Sequence, residues 1–176
     1  ATAFTDGLVD RSLPGALKAI RILAEREEPT ARDAMAWASL SSGMALANAG
    51  LGAVHGFAGV IGGATGAPHG EICASLLAAS LSVNAQAASK AGLSAARIEE
   101  IEGLLSGTFA DQDGGDGFDK LGTWVRQNGI RGLSALGMAK GDFESIAKAS
   151  KSSSSMRGNL VELSTADLMD ILERSA

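Results

Sequence analysis

The segment NAGLGAVHGFAGVIGGATGAPHG, residues 48–70, decides how this chain folds and what it can do. It contains both histidines of the 176-residue sequence, His55 and His69, and glycine follows each of them directly. It is the C-terminal part of a longer run, residues 34–70, in which no Asp, Glu, Lys or Arg occurs. Because charged side chains are rarely buried without a partner, a charge-free run of this length predicts a segment deep inside a protein core.

The composition around this segment favours helices over sheets. Ala and Leu dominate the apolar residues, aromatic residues make up only 4% of the chain, and Tyr is absent. Ala and Leu rank highest in helix propensity, whereas strands favour β-branched and aromatic residues. No alternating apolar run is long enough for a sheet, and no strand, Gly-rich turn and helix follow one another as a dinucleotide-binding fold requires. The sequence therefore predicts an all-α helical bundle, with residues 1–176 as a single helical domain.

Two helices are predicted upstream of the histidine segment. Apolar residues recur at helical intervals over 8–23, and we expect this helix to bend or start afresh near Pro14. A second helix begins after Pro29 and runs to Gly50. Its start resembles a capping box. The Thr30 hydroxyl would cap the helix, and the Asp33 carboxylate would accept a hydrogen bond from the backbone amide of Thr30.

Within and beyond the segment, glycine and proline positions divide the chain. The pattern predicts a short Gly-flanked element at 54–61, a flexible loop at 62–68, and an almost uncharged central helix from His69 or Gly70 to about Ser89. The remaining predicted elements are a helix opened by Ser94, helices at 118–127 and 142–149, a Ser-rich link at 150–155, and a final helix capped by Ser164 or Thr165.

Charge and cysteine content exclude several kinds of partner. The net charge is −5 and the Lys and Arg residues are scattered, so the basic surface that nucleic acids require is not expected. The single cysteine, Cys73, cannot form a disulfide within the chain, and no signal peptide is recognisable. These features predict a cytoplasmic protein that does not bind nucleic acid.

The charge-free run also resembles a membrane span. Asn48, His55, several serines and many glycines interrupt it, so its transfer into lipid is less favourable than that of a Leu-rich helix of about 20 residues. A buried segment of a soluble helical domain is therefore predicted, with no membrane contact. A small membrane-embedded bundle is the alternative.

The acidic stretch DQDGGDG, residues 111–117, suggests a calcium loop at first sight. An EF-hand loop needs a closing Glu at its twelfth position, which here is Gly122, so the motif fails. A solvated surface loop is predicted instead.

The two histidines are the candidate metal ligands. A helix-borne His55, a Gly-rich connection and His69 at the next helix start can bring two neutral imidazoles to one divalent ion. Spacing alone is a weak signal, because a lone histidine in an apolar segment is more often a hydrogen-bonded core residue. Catalytic metal sites usually have at least three protein ligands, and no Asp or Glu lies between His55 and His69.

The run NAGLGAVHG followed by GGATGAPHG resembles the metal-binding signature of the iron-dependent (group III) alcohol dehydrogenases. That family also includes maleylacetate reductases and lactaldehyde reductases. The resemblance extends upstream through ARDAM, residues 31–35, and downstream through SMRGN, residues 155–159, so it covers most of the chain. It implies the fold of the C-terminal, metal-binding helical domain of that family.

The resemblance also implies a metal site and a cofactor. In the family an Asp and three His bind one iron or zinc ion, and two of these ligands match His55 and His69. The other two ligands, and the NAD(P)-binding domain, are expected upstream of this chain. Many members carry a further His where this chain has Gly59, so a proton relay through that position is in doubt. The alternative role for Gly59 is packing, as a small residue where a helix approaches a neighbour.

The function implied is that of an alcohol or aldehyde oxidoreductase whose isolated metal-binding part is inactive and does not bind NAD(P) alone. No residue of this chain is assigned as a catalytic acid or base. The alternative is a non-catalytic helical association module derived from the same family. Because a missing neighbouring domain would leave apolar surface uncovered, we also expect a homo-oligomer.

Overall fold

The computed structural model describes residues 2–94 and 96–176. Every regular element within these residues is a helix and none is a strand, which confirms the all-α prediction. The described chain groups into two compact units, Ala1–Gly50 and Leu51–Ala176, named the hairpin unit and the core unit below. The single-domain assignment of residues 1–176 stays a prediction.

The first helix of the hairpin unit, α1, spans Ala3–Glu25. The Thr2 hydroxyl caps it by accepting a hydrogen bond from the Thr5 amide at 3.3 Å. Of the two outcomes expected near Pro14, a new start was wrong, because α1 continues through this residue, and a bend stays a prediction. A proline inside a helix removes one main-chain hydrogen bond, and the 23 residues of α1 keep the ladder on both sides of it.

The second helix, α2, spans Pro29–Ala49 and ends at Gly50, whose φ of 77° favours glycine. The predicted capping box of Thr30 and Asp33 was wrong. Glu28 occupies the N-cap position without a side-chain cap, and the Thr30 hydroxyl donates to Glu28 Oε1 at 3.1 Å. Pro29 explains the earlier start, because its fixed φ and missing N–H suit the first helical position.

Small side chains fill the buried positions of the hairpin unit. In α1 these are Thr5, Ser12 and Ala19, at heptad spacing, and in α2 they are Ala31 and Ser41. Small residues at such positions let two helices approach closely. Several large apolar side chains of both helices are instead exposed: Phe4, Ile20, Trp37, Leu40 and Leu46.

Six α-helices and two 3₁₀ turns make up the described part of the core unit. They are α3 (Ala53–Thr65), α4 (His69–Lys90), α5 (Ala96–Thr108), α6 (Gly117–Gln127), α7 (Phe143–Lys151) and α8 (Thr165–Arg174), with 3₁₀ turns at Lys140–Asp142 and Ser154–Gly158. The central helix α4 contacts α3, α6 and α8. Large apolar side chains from these and neighbouring helices are fully buried between them, among them Phe57, Ile61, Ile72, Leu76, Phe143, Leu168, Ile171 and Leu172.

The helix α3 is longer than its sequence indicates. The predicted loop at 62–68 was wrong for its first half, because α3 continues to Thr65 and only 66–68 connect it to α4. The Thr65 hydroxyl donates to the Ile61 carbonyl at 2.9 Å, and Gly66 ends the helix in the left-handed conformation with a φ of 70°. A helix can include glycines when its neighbours bury its apolar face.

Most other boundaries agree with the sequence. The helix at 118–127 is confirmed, and Ser164 caps α8 in a reciprocal capping box with Asp167. The helix predicted to open at Ser94 begins at Ala96, and residue 95 lies outside the described residues. The predicted link at 150–155 was wrong at both ends, because Ser150 is buried in α7 and Ser154 begins a 3₁₀ turn.

The acidic stretch 111–116 forms turns that lead into α6. Asp116 caps this helix by accepting a hydrogen bond from the Asp119 amide at 2.9 Å. Within the described residues, the acids of this stretch do not converge into a metal-binding group. Most residues of these turns are exposed, which confirms the predicted surface loop.

One helix by itself, α4, is long and apolar enough to cross a membrane, and 44% of its most apolar window is buried in the structure. Core helices of soluble proteins have the same length and composition. Because α4 is packed against three other helices, its apolar character has a structural explanation. The absence of membrane contact stays a prediction.

Candidate metal centre

The start of α3, which carries His55, is held by a side chain from a distant part of the chain. Asn159 Oδ1 accepts a hydrogen bond from the Ala53 amide at 3.0 Å. The amide nitrogen of Asn159 donates to Asn84 Oδ1 on α4 at 2.6 Å and to the Val161 carbonyl at 2.9 Å. Asn159 therefore caps the first turn of α3 and ties it to α4.

Glycines allow the segment that contains Asn159 to lie directly against this turn. A Cβ at Gly52 would lie 2.8 Å from Asn159 Oδ1, and a Cβ at Gly56 would lie 2.7 Å from Met156 Cε. A Cβ at Gly158 would overlap the Leu51 carbonyl oxygen. The glycine that follows His55 thus has a close-packing role. The glycine that follows His69 does not, because nothing lies within 4 Å of a Cβ at Gly70.

The turn between α3 and α4 returns the chain to the same site. Gly66 reverses the chain, and the Ala67 amide donates to Thr65 Oγ1 at 3.1 Å. Pro68 then occupies the N-cap position of α4, and His69 is the first residue of that helix. Two rigid helix segments, joined by a short turn, consequently carry the two histidines.

His55 and His69 are neighbours in the folded chain. Their ring centroids are 5.4 Å apart and the ring planes are inclined by 51°. The sequence reasoning expected this convergence from the Gly-rich connection. The role of the pair as metal ligands stays a prediction.

A third potential ligand, Cys73, was missed as a site residue by the sequence reasoning. Its Sγ lies 3.5 Å from His69 Nε2. One ligand atom from each of His55, His69 and Cys73 lies within 4.8 Å of the other two. The spacing of His69 and Cys73, four residues apart on one helix face, was available in the sequence and predicts such proximity once α4 is assigned.

Burial changes the protonation of this cluster. Desolvation, and secondly the neighbouring His69, lower the pKa of His55. Burial raises the pKa of the Cys73 thiol. The free site therefore favours a neutral imidazole at His55, the form that binds metal, and a protonated thiol at Cys73.

The nearest acid on α4, Glu71, is engaged elsewhere. Its carboxylate accepts two hydrogen bonds from the Arg131 guanidinium, both at 2.8 Å, and this ion pair lowers the pKa of Glu71 to about 2. Within residues 2–94 and 96–176, His55, His69 and Cys73 form the one group of three or more His, Cys, Asp or Glu side chains whose possible ligand atoms converge.

A cavity of about 490 Å³ adjoins the cluster. His55 and Cys73 form part of its wall, and Val54, Leu77 and Leu81 contribute apolar surface. Ser80 also lines it, and its buried hydroxyl has no hydrogen-bond partner among the described residues. The size and the predominantly apolar wall are typical of small-molecule sites.

Gly59, one turn after His55, lies on the exposed side of α3. Nothing within 4 Å would meet a Cβ at this position. The packing role considered for Gly59 was therefore wrong for the described chain, since no helix approaches it closely.

Comparison with known proteins shows the family of this chain. A model of the C-terminal domain of the Fe-containing alcohol dehydrogenase family matches residues 1–176, the full length of the chain. The chain belongs to the Fe-containing alcohol dehydrogenase family. The resemblance inferred from residues 48–70 is thereby confirmed, and the helical fold is that of the family's C-terminal domain. No curated protein matches the chain at a significant level.

Solved structures of alcohol dehydrogenases share the fold of this family member. A 1,3-propanediol oxidoreductase is 25% identical, with a TM-score of 0.74 over 100% of this chain and 46% of the other. An iron-containing alcohol dehydrogenase from Corynebacterium glutamicum is 18% identical, with a TM-score of 0.73 over 99% of this chain and 46% of the other. An alcohol dehydrogenase from Oenococcus oeni is 24% identical, with a TM-score of 0.67 over 96% and 45%. The chain thus spans less than half the length of these proteins.

The family implies a divalent metal, and the cluster fits one. Two imidazoles and a thiol offer nitrogen and sulfur donors of the kind that bind zinc and other first-row divalent ions. Their ligand atoms, within 4.8 Å of one another, are close enough to share a single ion after small side-chain rotations.

Proposed function

We propose that this chain holds the catalytic divalent metal, iron or zinc, of an NAD(P)-dependent oxidoreductase that interconverts small alcohols and aldehydes. The observation that carries the proposal is the convergence of His55 and His69, in the first turns of α3 and α4, with ring centroids 5.4 Å apart. Membership of the Fe-containing alcohol dehydrogenase family supports the reaction class.

A bound metal supplies Lewis acidity, which polarises a carbonyl or stabilises an alkoxide while hydride passes to or from a nicotinamide. His55 and His69 act as ligands in this scheme and not as acid or base. Burial favours the neutral imidazole of His55, so this ligand is available near neutral pH. Asn159 keeps the first turn of α3 in place and thereby sets the position of His55.

The apolar cavity beside the cluster provides room for the carbon chain of a small substrate. Its walls at Val54, Leu77 and Leu81 offer apolar surface beside the ligands. A low-polarity surrounding strengthens electrostatic interactions with a developing oxyanion. The unpartnered hydroxyl of Ser80 offers one hydrogen bond to a polar substituent.

Nicotinamide binding is assigned to other parts of the full-length proteins. The described residues contain no strand, and hence no strand, Gly-rich turn and helix that could cradle a pyrophosphate. We therefore expect no NAD(P) binding and no alcohol-linked NAD(P) turnover by this chain alone.

The second candidate function is a helical association module without catalysis. The observation that favours it is the exposure of Trp37 and Leu40 in α2, 46% and 58% respectively, beside an interface of small residues. Such a surface supports a homo-oligomer in either case. Metal content separates the two functions, because an association module has no need of an ion at His55 and His69.

The remaining partner assignments follow from charge and composition. The net charge of −5 argues against nucleic acid. We place the protein in the cytoplasm, without membrane contact. Extraction of the expressed chain without detergent is the expected result, and recovery only in detergent would contradict this assignment.

A fusion protein tests the proposed function. This chain is joined to the part of the 1,3-propanediol oxidoreductase that it does not cover, and NAD(P)-linked alcohol oxidation is measured with added metal. Metal-dependent turnover is expected, with a loss of about 100-fold or more in His55→Ala and His69→Ala, because each change removes a ligand. Gly63→Ala is the matched control, since it lies on exposed α3 surface with open space at its Cβ. A folded, metal-loaded fusion whose activity is the same in all variants would contradict the proposal.

A further inference from the structure

Two further cavities lie where α4 meets α6 and α8, away from the histidine cluster. The larger has a volume of about 390 Å³ and the smaller about 120 Å³. Neither His55, His69 nor Cys73 lines either of them. The two cavities share wall residues from all three helices, so they are parts of one cleft, named the α4–α6–α8 cleft below. The shared residues are Ala78, Ala79, Gly122, Arg126 and Arg174.

A glycine on α6 shapes the floor of this cleft. A Cβ at Gly122 would lie 3.3 Å from Ala78 Cβ on α4 and 3.4 Å from Arg126 Nη1. The absence of a side chain at Gly122 therefore lets the two helices approach closely. It also lets the guanidinium of Arg126 fold back along α6, over the preceding turn of its own helix.

The larger cavity carries charges of both signs, two guanidinium groups and two carboxylates, from Arg126, Arg174, Asp113 and Asp119. Within the described residues, the Arg126 side chain makes one hydrogen bond, to Thr123 Oγ1 at 3.4 Å, and the Asp113 side chain makes none. Asp119 Oδ2 accepts a hydrogen bond from the Gly115 amide at 3.3 Å. One cation and one anion thus line the same cleft without a counter-charge from the described chain.

The arginine end of the cleft holds further hydrogen-bond donors. Arg174 Nη2 donates to Ser82 Oγ on α4 at 3.1 Å, and Arg174 Nη1 lies 3.6 Å from Asp170 Oδ2. These contacts fix the guanidinium and leave other N–H groups of the fork available. Ser175, which lines the smaller cavity, is only 7% exposed, and its buried hydroxyl has no partner among the described residues. A ligand oxygen at this end would therefore satisfy a donor that the fold leaves unpaired.

We propose that the α4–α6–α8 cleft binds a small, elongated zwitterion, with its carboxylate at Arg126 and Arg174 and its ammonium group at Asp113 and Asp119. Guanidinium groups bind carboxylates through paired hydrogen bonds. A simple anion would meet repulsion from the two acids, and a simple cation would meet repulsion from the two arginines. A zwitterion finds an opposite charge at both ends, so the mixed lining selects it over either. This binding site is separate from the proposed metal function.

The helix geometry sets the length of the ligand. Asp119 and Arg126 lie two turns apart on one face of α6. Because the guanidinium folds back to Gly122, the two charged groups are separated by roughly one turn, about 5 Å, or more. Phe118, together with Ala78 and Ala79, supplies apolar wall between them. The ligand therefore has an apolar stem of several carbons between its charged ends, as in an ω-amino acid.

Calorimetric titration of 6-aminohexanoate into the full chain, with a chelator present to exclude metals, tests the site. Three probes accompany it: hexanoate and hexylammonium, which each lack one charge, and glycine, which lacks the stem. We expect 6-aminohexanoate to bind at least about tenfold more tightly than each of the other three, because only it forms both charge-assisted contacts. Binding should also raise the melting temperature, since the ligand contacts the folded state.

Two substitutions on the cleft separate ligand binding from a purely structural role. Arg126→Gln should weaken 6-aminohexanoate by about tenfold and remove most of its advantage over hexylammonium. Asp113→Asn should weaken it similarly and remove most of its advantage over hexanoate. A change in packing alone would not reverse these preferences in opposite directions. Arg11→Gln and Asp33→Asn are the matched controls, since they neutralise the same charges at exposed positions of α1 and α2 and should bind as the parent does.

Three results would overturn the proposal. One is the absence of 6-aminohexanoate binding by the folded parent. Another is equal affinity of the parent for 6-aminohexanoate, hexanoate and hexylammonium. The third is an affinity for 6-aminohexanoate that stays the same in Arg126→Gln and Asp113→Asn. Selective binding by the parent, with the two opposite changes of preference in the variants, would support it.

Discussion

The hairpin unit and the core unit bury different kinds of side chain. In the hairpin unit, α1 and α2 bury only small residues such as Ser12 and Ala31, and large apolar side chains such as Leu40 remain exposed. In the core unit, Phe57, Leu76 and other large side chains are fully buried between α3, α4 and α8. Similar Ala-rich compositions thus produce a close helix pair in one case and a packed core in the other.

The difference places the candidate site on the more constrained framework. His55, His69 and Cys73 all belong to helices of the core unit. Asn159 holds the first turn of α3, which carries His55. A binding site needs ligands held by packed neighbours, whereas an association surface needs exposed apolar side chains. The core unit meets the first requirement and the hairpin unit meets the second.

The largest expected effect is a difference between the two units in how far a substitution lowers the free energy of unfolding. Phe57→Ala should lower the free energy of unfolding by about 3–5 kcal/mol, because it removes a fully buried ring from the core. Leu40→Ala in the hairpin unit should change it by less than about 0.5 kcal/mol, since this side chain is 58% exposed. Urea unfolding of both variants provides the measurement. Similar losses in the two variants would show that Leu40 contributes to the stability of the hairpin unit as a core residue does.

The next effect compares the capped start of α3 in the core unit with the capped start of α1 in the hairpin unit. Asn159→Ala should cost about 1–3 kcal/mol, because the Ala53 amide and Asn84 Oδ1 both lose a partner. It should also weaken metal binding by about tenfold through the displaced turn of His55. Thr2→Ala, at the start of α1, should cost about 1 kcal/mol and leave metal binding unchanged. If both variants changed metal affinity equally, Asn159 would have no special role in placing His55.

Association is the property expected of the hairpin unit. At micromolar concentration the chain should sediment as an oligomer, and Leu40→Glu together with Leu46→Glu should shift it toward the monomer, because both side chains are exposed and apolar. Leu77→Glu, on an exposed position of the core unit, is the matched comparison and should leave the sedimentation coefficient unchanged. A parent chain that is monomeric and does not bind a hydrophobic dye would contradict the prediction.

The smallest effect concerns pH. Arg131 lowers the pKa of Glu71 from 4.5 to about 2, so the folded chain binds this proton less readily than the unfolded chain. The resulting stabilisation is complete above the unfolded value and is lost as the pH falls from about 5 toward 2. Glu71→Gln should therefore show a shallower decrease of stability over this range than the parent. Parallel curves from acid unfolding of the two proteins would mean that the ion pair does not contribute.

The sequence predicted those features that depend on local pattern. Helical class, the cap at Ser164 and the pairing of His55 with His69 across a Gly-rich turn all follow from neighbouring residues. It failed where tertiary contacts overrule local preference. Packing keeps α1 helical through Pro14 and extends α3 through the glycines before Thr65.

Two site residues needed the fold before their roles could be seen. Asn159 contacts Ala53 from 106 positions along the chain, and no short-range pattern encodes that hydrogen bond. Cys73 was recognisable in principle, because a histidine and a cysteine four residues apart share a helix face. It was considered only for a disulfide, because it lies outside the segment 48–70 that carries both histidines.

Calorimetric titration of zinc into the chain, and into His55→Ala and His69→Ala, tests the central claim most directly. The parent should take up close to one ion per chain, and each variant should bind at least about tenfold more weakly, because two helices supply the ligands jointly. Equal zinc uptake by all three proteins would contradict the claim and show that His55 and His69 are structural neighbours only.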